Sequence, residues 1–132
     1  MSSELEKGLF SMLSGNSPQT AAGSRIYPRL PQGVTHPAIR YQRISTGRNL
    51  ALDGAVGVTA ATVQIDCRAE SYSAAKALAD EVRGILHAYR GPWGALTARL
   101  VSLESENDLE YVDGDDVIHW VAQRYRIHTN MD

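Results

Sequence analysis

The chain has 132 residues, 43% of them apolar and 21% charged, with a formal net charge of −2. That size fits a single domain, 1–132, with a core needing neither disulfides nor metal, and so small a net charge gives no case for a general nucleic-acid binder. No stretch approaches the roughly 18 apolar residues of a membrane span, and the N-terminus carries no signal-peptide pattern. The expectation is a chain with no membrane contact, made and used in a cytoplasm or in a particle assembled there.

In chain order, residues 3–14 predict a short helix, because Leu5, Leu9, Met12 and Leu13 recur at helical spacing. Gly8 weakens that helix, and "SGNSP" ends it. Residues 15–24 read as a loop. The stretch "RIYPRLPQGVTHPAIRYQRIS" follows, with three prolines, four arginines and no carboxylate. Each proline pushes its predecessor toward extended geometry and removes a ladder donor, which suits an edge or no sheet at all. Residues 25–37 therefore read as a stiff arm that feeds a strand over 38–45.

Residues 46–60 are Gly-rich and read as a flexible hairpin tip. Strict alternation of Ala61, Val63, Ile65 and Cys67 with polar neighbours predicts a half-buried strand over 61–69. Cys67, the only cysteine, reads as a small buried residue. The clearest element is a helix over 71–89, with an apolar stripe from Ala75 to Tyr89, Ser71 as N-cap and Gly91-Pro92 closing it. Its polar side, with Lys76, Asp80, Glu81 and Arg83, reads as a solvated face. Strands are expected over 97–104 and 117–128, with an acidic loop or hairpin tip over 104–116 between them. The predicted fold is α+β: a four-stranded, largely antiparallel sheet with two helices on one face, in the order α-β-β-α-β-β.

Charge is unevenly distributed. Arg25, Arg29, Arg40, Arg43 and Arg48 fall in a stretch without acids, whereas Glu104, Glu106, Asp108, Glu110, Asp113, Asp115 and Asp116 fall in one without Lys or Arg. Complementary patches of this kind suit the two different surfaces of a heterologous subunit contact. They also suit pairing within one chain, and the arm could equally pack on its own sheet. The 46–60 tip, which carries Asp53, reads either as a loop that touches a partner or as a tolerated surface insertion, and the acidic 104–116 segment either as a solvated loop or as a charged docking surface.

No catalytic constellation emerges. His36, His87, His119 and His128 are scattered without metal-ligand spacing, and neither a G-x-S-x-G elbow nor a phosphate-binding glycine pattern occurs. "DLEYVDGDD" does not keep the register of a calcium loop. No metal or other cofactor is expected, and the chain reads as a non-enzyme.

The order and spacing of several short motifs resemble the tail completion (tail terminator) family of long-tailed bacteriophages. The residues that carry the resemblance are Gly23, Arg25-Ile26-Tyr27-Pro28, Pro31-Gln32-Gly33, Pro37 and Tyr41, then Leu52-Asp53-Gly54 and Val63-Gln64-Ile65-Asp66. They continue through Tyr72, Ala75, Ala77-Leu78-Ala79, Val82 and Leu86, with a looser match around Tyr125-Ile127-His128. Arg68 stands where members often carry an aromatic residue. The resemblance implies a structural virion protein that forms a ring, generally six-fold, on the head-proximal end of the tail tube. Such a ring stops tube growth and docks the head connector, and DNA passes its lumen without specific binding. The implied partners are other copies of the chain, the tail tube protein and the head connector. Two alternatives stay open at this point: another head–tail joining protein of similar build, and a small α/β ligand-binding module or enzyme.

Overall fold

Leu5, Leu9 and Leu13 are fully buried along one side of α1 (Glu4–Gly15), as their spacing requires. The computed structural model describes residues 4–15, 26–29, 36–51, 54–94, 96–113 and 116–130. Of the loop predicted at 15–24, Gly15 belongs to α1 and the rest lies outside the described residues, as do most of the proline arm and the tips at 52–53 and 114–115. After α1 come β1 (Ile26–Tyr27), β2 (Ala38–Ala51), β3 (Gly54–Ala69), α2 (Tyr72–Leu86), β4 (Gly91–Trp93), β5 (Leu96–Asp113) and β6 (Asp116–Asn130).

The sheet has six strands rather than the four expected. Their order is β1-β2-β3-β6-β5-β4, and β1 runs parallel to β2, so the sheet is mixed. The two additional strands occupy the two edges. β1 comes from the start of the proline arm, with Ile26 opposite Ile39 and Tyr27 opposite Arg40. β4 is the Gly-Pro-Trp segment after α2, with Pro92 opposite Thr97. Strands of two and three residues carry no periodicity to read, and a proline beside or within each confines it to an edge. The arm is thus tied to its own sheet at Ile26 and Tyr27.

The long strands also overrun their predicted limits. Cross-strand pairing continues to Ala51↔Gly54 in one hairpin and to Asp113↔Asp116 in the other, so 46–60 and the described part of 104–116 are chiefly strand. Conversely, α2 stops at Leu86, earlier than its apolar stripe suggests. Ser71 caps its start, accepting a hydrogen bond from the Ala74 N–H. At its end Ala88 takes a left-handed conformation (φ 64°) and donates to the Val101 carbonyl, which turns the chain into the β5 edge.

Both helices pack on one face, α2 over β3, β5 and β6, and α1 against α2. Because α1 also touches β1 at one edge and β4 at the other, the sheet must curl around the helices as a half-barrel. Trp93 fixes this closure. Its indole is fully buried, and Nε1 donates to the Leu5 carbonyl across 2.8 Å. Gly8 makes room for it: a Cβ there would come within 2.3 Å of Trp93 Cδ1 and 2.9 Å of the Trp93 carbonyl carbon. A glycine that looks like a helix defect in the sequence is the seat of the indole. Gly8→Ala is therefore expected to destabilise, because overpacking of about 1–3 kcal/mol exceeds the helix-propensity gain of about 1 kcal/mol. Denaturant midpoints check this; a variant more stable than the wild type would contradict the close seat.

Candidate assembly surface

The two hairpins project from opposite ends of the sheet. β3 and β6 pair only from Val58↔Asn130 to Ala69↔His119. The β2–β3 hairpin therefore runs beyond β6 at one end, and the β5–β6 hairpin runs beyond β3 at the other, from about Glu110 to Ile118.

Strand alternation divides the second hairpin into two chemical faces. Glu106, Asp108 and Glu110 lie opposite Gln123, Val121 and His119, on the side that carries α2. Lys76 of α2 reaches Glu106 Oε2 and Asp108 Oδ1, each at 3.2 Å, and the Tyr72 hydroxyl donates to Asp108 Oδ2 at 2.9 Å. His119 Nδ1 is 3.6 Å from Glu110 Oε2, with the Tyr72 ring edge-on to the imidazole. Beneath them, the fully buried Gln123 amide donates to the Ala79 carbonyl (3.1 Å) and to Glu106 Oε1 (2.9 Å), and accepts from the Tyr125 hydroxyl (2.9 Å).

These contacts set the protonation behaviour. The Gln123 amide and then Lys76 hold the Glu106 carboxyl below its usual range, against a burial effect of opposite sign. The Tyr72 hydroxyl and Lys76 do the same for Asp108. Lys76 is pushed up by its bonds to Glu106 and then Asp108. Cys67, fully buried in the core, has its thiol pushed up by burial first and by Asp66 next.

The predicted charged residues fall into separate groups. Arg43 donates to Glu6 of α1 at 2.6 Å, and Arg40 lies 3.8 Å from Asp66. Arg29 is exposed just after β1. Arg48 occupies a β2 position opposite Thr59, and Asp113 and Asp116 form the last pair of the β5–β6 ladder. Glu104 and Glu110 are exposed on β5, whereas Glu106 and Asp108 are engaged by α2. Arg25, Asp53 and Asp115 lie outside the described residues.

Sequence reasoning missed Lys76, read as part of a solvated face, and Gln123, whose odd position on β6 among Val121, Tyr125 and Ile127 was the available signal. It also missed the apolar character of the second hairpin. Leu109, Val112 and Val117 are 45%, 70% and 40% exposed, and Val112 and Val117 face each other across the ladder.

A model of the family described as tail completion protein gp17 matches residues 7–130. The chain belongs to that family. No curated protein matches it. Among solved structures, a chain from the virion of a native gene transfer agent particle is similar in fold, with a TM-score of 0.75 at 14% identity. The alignment covers 96% of this chain and 94% of that one. Membership in the tail completion family makes the chain a phage-type structural protein of the head–tail region, and the six-stranded half-barrel is its fold.

Proposed function

We propose that this tail completion protein forms a ring, of six copies, on the head-proximal end of the tail tube. The ring ends tube growth and presents a docking surface to the head connector, and DNA passes through its lumen without specific binding. The observation that carries the reading is the family match across 7–130, which spans nearly the whole chain. The geometry is in keeping with it: hairpins leaving opposite ends of one sheet give a small protein two separate contact surfaces, as a cyclic assembly needs. Of the charged residues named from the sequence, Arg25, Arg29, Arg48, Asp53, Glu104, Glu110, Asp113, Asp115 and Asp116 are the candidates for these contacts, whereas Arg40, Arg43, Glu106 and Asp108 already have partners within the chain.

The test is deletion of the gene from the phage or prophage that encodes it, followed by electron microscopy of the lysate. Tails of uncontrolled length beside filled, unattached heads are expected, and the gene supplied in trans should restore joined particles. Tails of normal length that fail to join would replace capping with a role in another neck ring. Normal infectious particles would sink both roles.

A further inference from the structure

The face of the sheet turned away from α2 carries its own positive patch. Gln123, Tyr125 and Ile127 point into the core, so Arg124 and Arg126 alternate to the opposite face, where both are exposed. Their cross-strand neighbours, Gln64 and Thr62 on β3 and Ser105 and Ser102 on β5, are uncharged. No ion pair among the described residues engages either arginine.

The β5–β6 hairpin offers the complement. Its α2 side sets three carboxylates against Lys76, with Arg83 acting on Glu106 from further off, and beyond them Val112 and Val117 present apolar surface. The exposed valines of a projecting arm are costly to leave in water, and beyond His119 the arm has no β3 beside it.

We infer that the acidic, apolar side of the β5–β6 arm of one copy lies on the Arg124–Arg126 face of the next. The occupant is a second copy of this chain, because one surface carries acid with exposed valines and the other carries unpaired guanidinium groups framed by neutral polar side chains. The two surfaces face opposite ways. A two-fold dimer would need both on one side of the molecule, so the contact repeats head to tail, as the ring reading requires. The inference rests on the ring reading and names its two sides.

Opposite charge reversals test it. One variant, Arg124→Glu with Arg126→Glu, makes the face acidic and leaves the arm acidic. The other, Glu110→Lys with Val112→Lys, turns the α2 side of the arm from net negative to net positive and leaves the face basic. All four positions are exposed, and circular dichroism verifies folding. In sedimentation velocity at low salt, each variant alone is expected to self-associate about tenfold or more weakly than the wild type. Mixed in equal amounts, the two should assemble again, because each arm then meets a face of opposite sign.

Wild-type assembly by either variant alone would overturn this contact while leaving the ring. Failure of the mixture of folded variants to assemble would overturn it as well. If Arg124→Glu with Arg126→Glu abolished binding to duplex DNA and left self-association intact, the face would belong to nucleic acid instead. A wild type that stays monomeric removes the contact, and tail lengths in the deletion then report separately on capping.

Discussion

Trp93→Ala is expected to cost about 3–5 kcal/mol of stability, the range for removing a fully buried large aromatic side chain. In a chain of this length the thermal midpoint should fall by roughly 10–20 °C. The effect exceeds the loss of apolar area alone because of where Trp93 sits. β4 is an edge strand of three residues, and the indole it carries is what α1 rests on, through Gly8 and the Leu5 carbonyl. Without it, α1 loses the contact that holds one edge of the curled sheet near the other. Trp93→Phe separates the two contributions. It keeps most of the packing and loses the hydrogen bond to Leu5, at about 1 kcal/mol. Calorimetry checks both, and a drop below about 1 kcal/mol for Trp93→Ala would mean that α1 is held by its leucines and not by the indole.

Elements that bury one regular stripe were readable from sequence. α2, the inner half of β3 and the body of β6 each alternate or repeat at a single period, and each lies in the middle of the fold. The edges were not readable, because an edge strand of two or three residues is defined by what it pairs with. The acidic segment misled for an electrostatic reason. A run containing Glu104, Glu106, Asp108 and Glu110 looks like a solvated loop, yet alternate residues there send carboxylates to one side, where Lys76 and Gln123 receive them. The neutralising groups sit 17 to 32 residues away in sequence, so no local pattern announces them. Gly8 is the same case in packing: its reason lies in Trp93, 85 positions further on. The arginines near the N-terminus were conspicuous because they lack acidic neighbours in sequence, but Arg43 and Arg40 find Glu6 and Asp66 in space. Arg124 and Arg126, flanked by ordinary core residues, drew less notice and are the more open pair.

Gln123→Leu is expected to cost about 2–4 kcal/mol at neutral pH, although leucine matches glutamine closely in volume and the site is apolar around it. Both amide protons and the amide oxygen are used, and its loss leaves the Tyr125 hydroxyl without its acceptor in the core. Tyr125→Phe added to Gln123→Leu should recover about 1 kcal/mol, because the hydroxyl then no longer needs a partner. The pH dependence identifies the remaining component. Glu106 has a depressed pKa in the folded state, chiefly through the Gln123 amide. It therefore contributes stability that is present above the ordinary carboxylate range, about 4.3, and is lost as pH falls through the lowered folded value. Gln123→Leu removes the largest part of that contribution and leaves that of Lys76, so the gap between variant and wild type should be widest near neutrality and narrow as the medium becomes acidic. Urea titrations at pH values on either side of the carboxylate range measure it. A gap independent of pH would assign the cost to the Tyr125 hydroxyl and the α2 carbonyl alone. A narrowing gap would place a charged hydrogen bond at the root of the β5–β6 arm, and would add Gln123 to Lys76 and Tyr72 as a residue that fixes the arm to α2.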